Sequence, residues 1–351
     1  LLADVRAACS GGATAGLLLS GGEDARSVLA AVPAGIDVRA VVYSEWESRE
    51  VAIARRVAAA YGARLEVGHR RPDHYYDGFP VVAPMIGSSQ LFTDFHGYGL
   101  HAETGLEEMP VVLGGLSSDA LLKAAHAPSG KGLQPGHLPA AGPIRDDLVE
   151  AVRERRVAFR AELAAMRPVS APEWERLWPF SMRKFAANFH GNRRLFRSHE
   201  PFQSNAILKL AAGVPQQWKR NRRLFHRAMK PLLARSWNVP HARFSYPYFG
   251  HYANLPLSVG LRVARGAAAV TKGQVHVRHG PWPKWRKMVR SEAGERARLR
   301  NPALESPIGA IFATRDPAEL FRAIRADWHP QRELMLLELA LLTSRRPRNE
   351  D

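Results

Sequence analysis

With 351 residues, 46% of them hydrophobic and 24% charged, the chain can bury a large core, which excludes a disordered or fibrous polymer. It has no run of eighteen apolar residues and no basic, apolar, small-residue leader, so the expectation is a soluble, cytoplasmic protein with no membrane partner. The single cysteine, Cys9, excludes an intrachain disulfide and any multi-cysteine metal site, and the net charge of +17 is spread through nearly every segment.

That spread reads as solvated basic faces that attract anionic substrates; a nucleic-acid or acidic-partner surface is the alternative and is not favoured. Cys9 falls on what looks like a helix before the first strand, as buried packing. Residues 15–19 form a buried-type strand, 24–32 a helix closed by Pro33, and 38–43 a second strand. Val51, Ala54, Ala58 and Tyr61 make the apolar stripe of a helix that Gly62 ends. Short strands follow at 65–67 and 111–113, then Gly114 and Gly115 and a helix over 118–126. Strands alternating with helices from 13 to about 127 predict an α/β fold with a Rossmann-like parallel sheet.

The stretch 128–143 is rich in Gly and Pro and reads as a loop. Beyond it the chain is expected to be largely helical, at 146–166, 202–212, 222–235 and 331–343, with a polar tail over the last eight residues. The division that follows is a domain over 1–250, with a core at about 13–127 and a helical part at about 145–240. A basic, mostly helical extension follows over 251–351, and it contains Trp282 and Trp285.

The strongest local signal is Ser20-Gly21-Gly22-Glu23-Asp24, set between a strand and a helix. Backbone N–H groups and a helix N-terminus around one concavity hold phosphate oxygens, and glycines let the anion approach. Asp24 would hold Mg²⁺ against the phosphates. A Gly-Gly turn with Asp24 as an ordinary helix cap is the bland alternative.

Residues 18–24 resemble the Ser-Gly-Gly-x-Asp-Ser loop of the ATP pyrophosphatases, and specifically the synthetase domain of asparagine synthetases. Three further segments agree in order and spacing over about 1–240. They are the second Gly-rich motif at 112–121, Pro201-Phe202 at a helix start, and Arg223 to Arg227 where the family has Lys-x-x-x-Arg. The resemblance implies an ATP-dependent, AMP-forming ligase. A carboxylate substrate, a small molecule or a peptide, is activated as an acyl-adenylate and captured by an amine donor. It also implies roles for particular residues. Ser20, Gly21 and Gly22 would cradle pyrophosphate. Leu18, Tyr43, Gly114 and Gly115 would bind ATP, Asp24 and Asp119 would share Mg²⁺, and Arg223 and Arg227 would act catalytically on the leaving group or adenylate.

Departures from the pattern concentrate in the acyl-acceptor half. Ala25 replaces a Ser, Ala120 an acidic residue and Arg223 a Lys, while Leu116 stands where a Glu or Tyr handles the amine proton. The acceptor is therefore expected not to be plain aspartate. No glutaminase half is expected either, so the amine comes from ammonia, a separate subunit or the substrate itself, as in the β-lactam synthetases and peptide-cyclising members. A degenerate nucleotide-binding subunit supporting a partner protein and an RNA-modifying ATP pyrophosphatase remain as alternatives. His96 and His101 flank Tyr98 where the acceptor would approach, by pocket lining or by packing; His276 and His279 are a weak metal pair.

Overall fold

The computed structural model describes residues 1–87, 92–124, 144–177, 180–242, 247–250 and 252–272, with Met288, Ala310 and Glu338 as isolated positions. The expected loop at 128–143, the terminal helix at 331–343 apart from Glu338, His276, His279, Trp282 and Trp285 lie outside the described residues.

The chain opens with helix α1 (Leu2–Ala8), strand β1 (Thr14–Leu18), helix α2 (Glu23–Ala31) and strand β2 (Asp37–Ser44). Helix α3 (Arg49–Tyr61), strand β3 (Arg64–His69) and helix α4 (His74–Ile86) follow. Next come the short helix α5 (Leu100–Glu103), strand β4 (Val112–Leu113) and helix α6 (Ser118–Leu121). The second half holds α7 (Asp146–Ala165), α8 (Trp174–Leu177), α9 (Phe180–Leu195), strand β5 (Ser198–His199) and α10 (Asn205–Gly213). It closes with α11 (Gln216–Lys219), α12 (Arg223–Met229) and α13 (Leu255–Lys272). Among the described residues, no helix is long and apolar enough to cross a membrane.

The five strands form one all-parallel sheet in the order β3-β2-β1-β4-β5. The α/β, Rossmann-like arrangement expected from the sequence is therefore present. Alternate residues of the central strands fall into two clusters: Ala15, Leu17, Ala40 and Val42 pack one way, Leu18 and Val41 the other. Both faces are thus covered, as parallel strands require. On the first face sit residues of α1, α2, α3, α10 and α12; on the second, Leu106, Met109, Leu195 and Phe196.

Local chemistry explains the boundaries. Ser48 accepts a hydrogen bond from Val51 N–H and starts α3. Val32, with ψ 133°, leaves the helical region ahead of Pro33 and ends α2. Several expected helices are shorter or split. The one at 118–126 stops at Leu121, because Leu122 has φ −113° and Ala124 has φ 55°. The one at 202–212 is a 3₁₀ turn, Pro201–Gln203, broken from α10 at Ser204, whose ψ is 147°. The one at 222–235 divides at Pro231 into α12 and a 3₁₀ turn, Leu232–Ser236.

Candidate functional site

The order β3-β2-β1-β4-β5 reverses between β1 and β4, and the crevice beyond the carboxyl ends of the strands at such a reversal is where open α/β sheets bind ligands. A cavity of about 440 Å³ occupies that place. It is within the size range of small-molecule sites, roughly 300–1,000 Å³. Leu18, Ser20, Asp24, Tyr43, Gly114, Gly115 and Asp119 all line it.

Gly21 and Gly22 form the loop behind these residues, and both of their N–H groups already have acceptors. Gly21 N–H donates to Glu50 Oε1 at 3.3 Å, and Gly22 N–H to Ser20 Oγ at 3.2 Å. The acceptor at Gly21 is a carboxylate, so the loop presents its donor to an anionic type of group; burial pushes the Glu50 carboxyl up from its ordinary range. The loop is fixed from behind by Arg26. The residue is 4% exposed, and its guanidinium donates to Val239 O at 3.1 Å and Pro240 O at 3.0 Å, with longer contacts to Ser236 O and Gly21 O. Ala242 N–H also donates to Gly21 O.

Asp24 and Asp119 converge, but on an ammonium group. Lys123 Nζ pairs with Asp24 Oδ1 and lies 2.9 Å from Asp119 Oδ1. Ser118 Oγ donates to the same Asp24 oxygen. A Mg²⁺ site needs oxygen ligands in near-octahedral array at about 2.0–2.1 Å. Here the space between the carboxylates belongs to a group that only donates. The pair as built does not fit the Mg²⁺ expected there. Among the described residues there is no group of three or more His, Cys, Asp or Glu that could hold a metal ion.

Arg223 and Arg227 are not brought to the cleft. Phe225 and Met229 supply the buried positions of α12, which turns Arg223 and Arg227 outward, and both are exposed. The preceding residue goes inward instead. Arg222, with φ 62°, donates to the buried Glu23 at 2.5 Å. Positive charge at the cleft comes from Arg70, a buried residue at the end of β3 that donates to Tyr75 Oη at 3.1 Å.

Nothing in the sequence singles out Glu200. It follows β5, is 3% exposed and lines the cleft. Oε2 accepts from Leu116 N–H at 2.8 Å, while Oε1 is buried with no hydrogen-bond partner. Burial pushes the carboxyl up to about 8, against the opposing influence of the Leu116 N–H and Arg193. A Cβ on Gly114 would lie 2.0 Å from Glu200 Oε1, so the glycine is what admits the carboxyl. A Cβ on Gly115 would lie 2.7 Å from Ala25 N, which brings the second glycine motif against the start of α2.

Tyr43 Oη is buried without a hydrogen-bond partner, and burial pushes the phenol up. Of the two histidines, His96 lines the cleft, with Nδ1 2.8 Å from Tyr75 Oη and burial holding it well below the usual imidazole range. His101 lies outside the lining, against Gly97 O and Glu107. Cys9 is a free, buried thiol packed in the main core.

Fold and site together define an open, parallel α/β protein with a cleft at its topological switch point, lined by Ser20 of the glycine loop and by a buried carboxyl. No protein-family model matches the sequence, and a search of curated proteins finds no match.

Proposed function

We propose that the chain binds ATP in this cleft and is an AMP-forming ligase that joins a carboxylate to an amine. The observation that carries the reading is the convergence of three elements on one switch-point cavity: Ser20 at the head of the glycine loop, the start of α2 and the buried Glu200.

A substrate carboxylate oxygen attacks the α-phosphorus of ATP, and the bond from that phosphorus to the β-phosphate bridging oxygen breaks. The departing pyrophosphate is received at the helix start by Ser20, Gly21 and Gly22, where it replaces Glu50 Oε1 and Ser20 Oγ as acceptors for the two glycine N–H groups. Leu18, Tyr43 and Gly114 wall the nucleoside side. The amine nitrogen then attacks the acyl carbon, and the acyl carbon–oxygen bond breaks to release AMP. The proton lost by nitrogen passes to Glu200, whose position at Leu116 N supplies the group that the Leu116 side chain lacks. With the carboxyl raised to about 8, its ionised fraction is the proton acceptor, and that fraction grows as the pH rises toward 8.

Pyrophosphate exchange into ATP, run with candidate carboxylates, tests the reading. The expected products of turnover are AMP and pyrophosphate, and release of ADP rules the mechanism out. The outward placement of Arg223 and Arg227 favours one second reading, a nucleotide-binding subunit that supports a partner enzyme. ATP binding with no exchange would support it.

A further inference from the structure

We propose that Lys123 is a built-in cation that takes the place of a divalent metal ion between Asp24 and Asp119, so that this carboxylate pair holds its geometry without binding a metal. Asp24 is carried in the first turn of α2 and Asp119 in α6, so the two carboxylates come from the ends of different strand-to-helix connections. Two acids brought together there repel unless a positive charge lies between them. Lys123 lies four residues beyond Asp119, just past the end of α6, and the backbone turns to positive φ at Ala124.

Three features make the ammonium a resident of the site. Its side chain is 3% exposed, against 22% for Asp24 and 46% for Asp119, so the cation lies beneath the carboxylates and they face the cleft. The Phe225 ring, fully buried, lies beside it with Nζ 4.2 Å from the ring centroid, an arrangement favourable to a cation and closed to retreat of the side chain. Asp24 Oδ1 accepts from both Lys123 Nζ and Ser118 Oγ, which uses the lone pairs of that oxygen. A divalent ion entering between the carboxylates would have to displace a buried ammonium that has no other place, and would then sit beside it. A metal ion that arrives with a nucleotide is accordingly held by phosphate oxygens and water.

The inference deepens the ATP reading only in stating how the two carboxylates are held, and its test uses protein without nucleotide, so that it fails or stands separately. The probe is Mn²⁺ alone, followed by electron paramagnetic resonance of the free ion. The unaltered chain, Asp24→Asn and Asp119→Asn should bind Mn²⁺ alike. Lys123→Ala should gain a site at least about tenfold tighter than any in the unaltered chain, because affinity follows the net negative charge of the ligand set. That site should vanish in Lys123→Ala combined with Asp24→Asn, and Lys123→Arg should not create it. Mn²⁺ binding by the unaltered chain that Asp24→Asn or Asp119→Asn removes would overturn the proposal, as would a folded Lys123→Ala that gains no site. If Lys123→Ala does not fold, the comparison of the unaltered chain with the two Asp→Asn variants decides by itself.

Discussion

Replacing Glu200 by Gln should make the protein less sensitive to alkali. The folded-state pKa of Glu200 is raised to about 8 from the ordinary 4.5, because its carboxyl is buried. The folded state therefore holds the proton more tightly than the unfolded chain does. The sign follows: the contribution to stability is fully present below pH 4.5, falls progressively above it, and is lost as the pH rises through about 8. A span of roughly three and a half pH units at about 1.4 kcal/mol each amounts to about 5 kcal/mol. Glutamine keeps an oxygen for Leu116 N–H and has no proton to lose. Urea unfolding of both proteins at pH 5 and pH 9 measures the effect. The two should differ little at pH 5, and the variant should be the more stable by several kcal/mol at pH 9. Glu338 is also raised to about 8 by burial, against the opposing influence of the Phe92 N–H, but it is common to both proteins and cancels in the difference. A stability difference that stays constant between the two pH values would refute the assignment of Glu200 as a buried, proton-holding acid.

Two further substitutions probe the supports of the site. Gly114→Ala places a methyl group where the Glu200 carboxyl lies, so it should cost about 2–4 kcal/mol in urea unfolding and remove the pH-dependent difference described above. Arg26→Met leaves the carbonyls of Val239 and Pro240 without their donor in a buried setting and should cost about 3 kcal/mol; a loss below about 0.5 kcal/mol would mean that water replaces the guanidinium.

The parts legible in the sequence are those whose signal is local. β1, β2, β3 and α3 announce themselves by apolar runs or by a stripe at helical spacing, and the Ser-Gly-Gly loop by its glycines. α4 is hidden because Pro80 and Pro84 interrupt its pattern, although its buried face of Tyr75, Val82, Ala83 and Ile86 is regular. β5 is a two-residue strand, Ser198–His199, with no apolar run, and it exists through pairing with β4. Glu200 depends on that pairing, since its proximity to Gly114 and Leu116 spans more than eighty residues of chain. Lys123 carries no signal of its own in the sequence, because burial leaves no mark in composition. The direction of Arg222, Arg223 and Arg227 follows from the rotational phase of α12, fixed by Phe225 and Met229 and by the left-handed turn at Asn221 and Arg222.

The grip of Arg26 on the segment from Ser236 to Pro240 has a consequence for how the protein can be assembled. Its hydrogen-bond partners lie 210 to 214 positions along the chain, on a stretch that packs behind the glycine loop. A fragment that ends before that stretch would leave the guanidinium only its longer contact to Gly21 O and the loop without its rear wall. The strand-rich N-terminal part is consequently not a module that could be excised or transplanted with its loop in working shape. Closure over so long a contour is slow, so the loop should be among the last features to reach native order during folding. During synthesis it should stay unset until Pro240 has left the ribosome.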